Sequence, residues 1–441
     1  MQRVDLVIQD GILCTMNSVR DVKESSAVVI NDGKIIDIVD SQMVKNKYIA
    51  ETTLDGSSSI IMPGLVNTHT HSALTFLRGI SDDLSLMDWL TNYIWPLERK
   101  FIDEPFVYWA TRLAIYEMVM SGTTTFNDSY FFSREVVKAA KQMGVRCVAG
   151  ELVFDAASPI GKTSSETLSY SEENFQEWKN DELISISVAP HSLYACSRKV
   201  IKAAYDLANK HNGLTNILIS ESQNEVTEII KKHGATPVEV LHDLGVLNSN
   251  LIATHCVHLT PRDIELLSKS SVGISHNPES NMKLGNGVAP ILDLLKSGAL
   301  VGLGTDGAAS NNDLSLLSEI DFATKLQKGT ARDSTVFNSL KAVEMLTIDG
   351  ARVLKLDQKI GSIEIGKQAD IIFLNLRSPN LTPIYNPYSH IVYASNSSDV
   401  HTVIINGKII VKDRVMVGQD IDEILDEANR YSSEIKEHLG L

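Results

Sequence analysis

Cysteine is scarce. Only Cys14, Cys147, Cys196 and Cys256 occur in 441 residues, and no two of them form a CxxC pair. A chain of this length needs no disulfide staples, so the four read as free thiols in a reducing compartment. No apolar run reaches the ~18 residues that a membrane span requires. The start, Met1-Gln2-Arg3-Val4-Asp5, lacks the apolar core of a signal peptide. Positive charge is in deficit, with 40 Lys and Arg against 55 Asp and Glu and a net charge of −15. That balance argues against a nucleic-acid partner. No long block of like charge forms an acidic tail, so the surplus mainly favours solubility. Low-complexity segments and solenoid repeats are also missing. These absences point to a cytoplasmic protein, with neither nucleic acid nor membrane as partner.

What is present is a globular composition, 43% hydrophobic and 22% charged. Both ends of the chain read as β. At the N-terminus, residues 4–9 alternate, and an Asn31-Asp32-Gly33-Lys34 turn joins two apolar runs, a strong hairpin signal. Near the C-terminus, residues 369–375 read as a strand, and Asn406-Gly407-Lys408 joins a second hairpin. Residues 420–439 have helical spacing. The middle alternates short apolar runs with amphipathic segments, the runs being 60–66, 123–127, 146–154, 184–189, 216–220, 251–255, 272–276 and 299–304. Repeated β-then-α units imply a parallel sheet, and eight of them suggest a closed (β/α)₈ TIM barrel. The expected organisation is 1–57 as the N-terminal part of a small β-sandwich, 58–358 as the barrel, and 359–441 as the rest of the sandwich plus a terminal helix.

In such a barrel the polar residues at strand C-terminal ends are the catalytic candidates. His69-Thr70-His71 closes the first run. Strand side chains repeat every two residues, so both imidazoles share a face, and neutral imidazole is the commonest metal ligand. Alone, the pair would more often be two surface histidines. Later runs, however, end on His191, Glu221, His255 and Asp306. Histidines and carboxylates at successive strand ends converge at one mouth, as a catalytic centre requires.

The ordered motifs MPGLVNTHTH, WPLE at 95–98, APHSLY at 189–194, SHNPESNMKLGNGVAP at 275–290 and GTDGAASNN at 304–312 cover nearly the whole chain. They resemble the amidohydrolase superfamily, and within it the 5'-methylthioadenosine/S-adenosylhomocysteine deaminases. The resemblance implies a hydrolase that releases ammonia from an adenine nucleoside, with one divalent metal ion, zinc. It implies His69, His71 and Asp306 as metal ligands, and Glu221, His255 and Asp306 as catalytic. Glu221 is the proton shuttle, and His255 orients the attacking water. Glu98 accepts hydrogen bonds from ribose hydroxyls, and His191 contacts substrate. Trp89 and Ser310 line the nucleoside pocket, although Trp89 reads equally well as packing. Members of the family often form homo-oligomers, and no interface is legible in this sequence.

Two positions depart from the family pattern. The third metal-ligand histidine, three residues before the catalytic glutamate, is Leu218, so one nitrogen is missing and metal affinity should fall. A substrate-contacting arginine position is Glu151, expected on the pocket wall, where its charge disfavours the carboxylate tail of S-adenosylhomocysteine. Lys162 is the nearby cation. Glu151 keeps open another amino-heterocycle, guanine-, pterin- or triazine-like, and Leu218 keeps open a catalytically silent nucleoside-binding relative. Cys196 and Cys256 read as small buried residues. His276 reads as a structural hydrogen-bonding group.

Overall fold

A computed structural model describes residues 1–441, and they form two compact units interleaved in sequence. One comprises Met1–Val66, Tyr116–Thr125 and Ser315–Gln419; the other comprises Asn67–Ile115, Phe126–Leu314 and Asp420–Leu441. None of the helices is long and apolar enough to cross a membrane.

The first unit holds two sheets. A four-stranded one is built from residues 2–55, and a seven-stranded one combines residues from both ends of the chain. Their apolar faces share a core that includes Leu6, Ile8, Val28, Ile61, Phe373 and Ile404. Both expected hairpins form. Ser26–Asn31 pairs with Lys34–Asp40, and Val400–Ile405 with Lys408–Lys412. Their tips, Asp32-Gly33 and Asn406-Gly407, all take positive φ, as a type I′ turn demands.

The run at 60–66 is not one barrel strand. Ser59–Pro63 joins the seven-stranded sheet, and the first barrel strand is Leu65–Thr70. Gly64 makes the switch. A Cβ there would lie 2.1 Å from the Thr124 side chain, so only glycine lets the two backbones approach.

Eight strands follow one another round a single sheet in chain order. They are Leu65–Thr70, Thr123–Tyr130, Arg146–Val153, Ile184–Pro190, Leu214–Ile219, Leu251–His255, Gly273–His276 and Leu300–Leu303. The ladders from the third strand to the eighth are parallel. Side chains close the seam just past the eighth strand. Asn67 Nδ2 donates to Thr305 Oγ1 at 2.8 Å, Thr70 Oγ1 donates to the Asp306 carbonyl at 2.8 Å, and the Asp306 N–H donates to the His69 carbonyl at 3.0 Å. Helices between the strands start on side-chain caps: Ser197, Ser222 and Thr260 accept from backbone N–H groups of the first turn.

The terminal helix Ile421–Leu439, grouped from sequence with the sandwich residues 359–441, lies in the unit that carries most of the barrel. Tyr431 provides the reason: its ring meets Phe76 at 5.3 Å and Phe106 at 5.1 Å. An amphipathic helix packs wherever its apolar stripe finds a matching surface, and sequence position does not say where that is.

Candidate active site

The strand ends do converge. The ligand atoms of His69, His71 and Asp306 all lie within 4.8 Å of one another. His69 is 1% exposed, and neither ring nitrogen has a hydrogen-bond partner. Burial and the neighbouring imidazoles hold it neutral, its pKa pushed down to about 4. A buried imidazole left unpaired is costly, and a cation among these three groups would use the free nitrogen. His71 Nδ1 sits 2.5 Å from the Ser129 carbonyl, which assigns the proton to Nδ1 and leaves Nε2 with its lone pair facing Asp306. Asp306 Oδ1 stands 3.6 Å from His69 Nε2 and 3.5 Å from His71 Nε2. Asp306 Oδ2 accepts from Ser280 Oγ at 2.6 Å and Ser310 Oγ at 2.9 Å. Burial works against its charge, but the imidazoles of His69, His71 and His255 keep it well below the usual carboxylate range. Two histidines and a carboxylate, held by backbone and hydroxyl groups behind them, fit a divalent transition metal. Leu218 lines the same cavity and offers no donor.

Glu221 and His255 face each other beside this cluster, Oε2 to Nε2 at 3.9 Å. Glu221 Oε1 accepts from Asn286 Nδ2 at 2.9 Å, and His255 Nδ1 pairs with Asn281 Oδ1 at 2.8 Å. Burial raises the Glu221 pKa. Burial also opposes the His255 charge, yet Glu221 and Asp306 raise its pKa. Each group is thereby biased towards its protonated form. Ser220, His255 and Asp306 all have positive φ, at 52°, 72° and 61°. Backbone strain at three strand ends turns the reactive side chains into one chamber. Glu225 holds the first bend, its two carboxylate oxygens accepting the Ser220 and Glu221 N–H groups.

The chamber is lined by Trp89, Glu98, Tyr130, His191, Leu218 and Ser310 together with the reactive groups. Trp89 and Ser310 are therefore wall residues. Glu98 accepts from the Tyr130 hydroxyl at 2.6 Å, and burial lifts its pKa to about 7. His191, through burial and the other imidazoles, is held down at about 3 and so is neutral. Trp95, Glu98, Phe131, Phe154 and Tyr194 also border an outer chamber of about 430 Å³, so the two spaces share a wall.

Glu151 is not on this wall. It lines neither chamber, is 1% exposed, and its Oε2 accepts the Ser133 N–H at 2.8 Å at the start of the helix Ser133–Met143. The expectation of a reversed charge facing substrate is corrected: this carboxyl caps a helix N-terminus, and burial pushes its pKa up to about 8. Lys162 lines neither chamber. His276 also differs from expectation, since both ring nitrogens are buried without a hydrogen-bond partner. Cys196 and Cys256 are buried and free, as expected.

Several supporting residues escaped the sequence reading. Asp128, at the end of the second strand, accepts the Ser72 N–H at 2.7 Å, and burial lifts its pKa to about 6. Its position at a strand end was a usable signal. Asn281 and Asn286 lie inside a quoted motif, but nothing in their spacing tells which side chains they orient.

The amidohydrolase family profile matches residues 60–410. A 5-methylthioadenosine/S-adenosylhomocysteine deaminase of Syntrophus aciditrophicus is 42% identical over 439 residues, covering 100% of this chain and 99% of the relative. A 5'-deoxyadenosine deaminase of Methanothermobacter thermautotrophicus is 41% identical and covers 93% of each chain. Among solved structures, an adenosine deaminase from Xanthomonas campestris with bound zinc superposes with a TM-score of 0.97 at 33% identity, covering 99% of both chains.

Proposed function

The chain belongs to the amidohydrolase family, and we propose that it is a metal-dependent hydrolytic deaminase that releases ammonia from adenine nucleosides of the 5'-methylthioadenosine, S-adenosylhomocysteine and 5'-deoxyadenosine kind. The observation that carries this reading is the Glu221–His255 pair set beside three converging metal donors at the mouth of the barrel.

His69, His71 and Asp306 would hold the ion. A divalent metal there supplies Lewis-acid activation of the attacking water. His255, kept in orientation by Asn281, directs that water with Nε2. Glu221, its pKa raised by burial, places its proton on the purine ring nitrogen next to the carbon under attack. Asp306 takes up one proton of the incoming water and passes it to the amine, which leaves as ammonia; the second water proton returns to Glu221 as the ring carbonyl forms. One water is consumed and one ammonia formed, with no covalent bond to the protein. Glu98 receives the ribose hydroxyls, held in place by Tyr130, while Trp89, His191 and Ser310 border the bound nucleoside.

The outer chamber beside Glu98 supports substrates with a 5' substituent, because it adjoins the residue assigned to the ribose and its walls include Phe131, Phe154 and Tyr194. The turned-away Glu151 removes the argument for a guanine-, pterin- or triazine-like ring. An ammonia-release screen with added zinc tests the reading. Turnover of 5'-methylthioadenosine or S-adenosylhomocysteine, with guanine inert, is the expected result. Release from guanine alone would shift the substrate class. Tight nucleoside binding with no release would mark a silent relative.

A further inference from the structure

Leu218 occupies the strand position where the family resemblance places an imidazole donor. His191 flanks its partner across the ladder, Ser192. The Leu218 N–H donates to the His191 carbonyl at 3.0 Å, and Ser192 bridges to Leu218 in parallel register. A void of about 10 Å³ is bordered at once by His69, His71, His191 and Leu218. It has room for at most a single water.

We propose that His191 replaces the donor lost at Leu218, and that its Nε2 completes the metal set begun by His69, His71 and Asp306. This rests on the reading that a divalent ion occupies that set. The His191 ring makes one hydrogen bond, from Nδ1 to Ser192 Oγ at 3.1 Å, so Nε2 is uncommitted. His191 does not belong to the trio of donors within 4.8 Å of one another, so its ring must shift towards them to join the set. All three histidines border the void, which has room for an ion or one water but not for the ring itself. His255 is the rival. Its Nδ1 is pinned by Asn281, and its Nε2 faces Glu221. Drawing it onto the ion would strip Glu221 of its partner, whereas moving His191 gives up the Ser192 hydrogen bond and ring contacts with Phe154 and Tyr194 and leaves the Glu221 pair intact. The assignment removes His191 from direct substrate contact. It also moves the missing ligand from the fifth barrel strand to the fourth, one ladder rung away.

The test reads metal rather than turnover. Wild type, H191A, L218H and the H191A/L218H double variant are stripped with chelator, and Co²⁺ affinity is measured by competition with a chromophoric chelator alongside the visible cobalt spectrum. The expected result is a loss of about tenfold or more in affinity for H191A against wild type, with a changed cobalt spectrum. In the L218H background the same substitution should cost less than about threefold, because the fifth strand then supplies its own nitrogen. H191N serves if H191A does not fold. No loss for H191A, or an equal loss in both backgrounds, overturns the proposal. Metal uptake by L218H but not by wild type also overturns it while leaving the three-donor site standing. No uptake by any variant sinks the underlying metal reading instead.

Discussion

Glu225 governs Glu221 through the main chain, not the side chain: its Oε2 accepts the Glu221 N–H at 2.8 Å, and its Oε1 accepts the Ser220 N–H at 3.1 Å. Ser220 sits at φ 52°, a conformation that a serine adopts only under constraint. The carboxylate spans the bend and sets where Glu221 points. Glu225→Gln keeps one acceptor oxygen and sets an NH₂ against the other N–H. Leaving a buried donor unpaired costs roughly 1–3 kcal/mol. We expect kcat for ammonia release to fall about tenfold or more with KM little changed. Equal losses in kcat and in nucleoside affinity would mean general damage, and no change would end the positioning role.

Glu221→Gln keeps an oxygen for Asn286 but removes the transferable proton. General acid–base groups contribute roughly 10²–10⁴-fold, so kcat should drop by that factor. Affinity for the nucleoside, measured by calorimetry, should change less than about threefold. Turnover retained at the wild-type rate would take Glu221 out of proton transfer.

The unpartnered His69 ring predicts a stability response to metal. An ion that binds only the folded state stabilises by about 2.7 kcal/mol at a hundredfold excess over Kd. Zinc added to the chelator-stripped protein should raise Tm by a few degrees, and H69N should abolish the rise. An equal rise in H69N would place the ion elsewhere.

Glu151 gives a pH signature that is independent of catalysis. Burial raises its pKa from 4.5 to about 8. Below about pH 4.5 the carboxyl is protonated whether folded or not, and its neutral form is fully accommodated. As pH rises towards 8 the unfolded chain ionises first, so stability is progressively lost; above 8 the loss is constant. Glu151→Gln stays neutral throughout. The variant should therefore gain on wild type between pH 5 and pH 8.5 in urea midpoints. Parallel curves would show that Glu151 ionises normally in the fold.

Much of the candidate site's layout was legible in the sequence. An alternating β/α pattern sends strand C-terminal ends to one mouth, so His69, His71, Glu221, His255 and Asp306 needed only their place at the ends of apolar runs. The hairpins at Asp32-Gly33 and Asn406-Gly407 were legible because their positive φ is a local demand. The orientation of Glu151 was not. Every residue of Arg146–Val153 is buried, and a strand buried on both faces carries no alternation to tell chamber from helix side. The run 60–66 misled for a related reason: two sheets share one apolar stretch, and only the contact of Gly64 with Thr124 shows where it changes sheet.

Local patterning along the chain determined the barrel, its strand ends and the chemical character of the groups placed there, because periodicity and turn chemistry act over a few residues. Tertiary structure alone decided which nitrogen of each histidine is free, which carboxyl is kept protonated, where the terminal helix packs, and that His191 lies one rung from Leu218. Those outcomes depend on burial and on partners distant in sequence, such as Asn281 for His255 and Ser129 for His71. Neither burial nor a distant partner leaves a mark on the neighbouring letters of the chain.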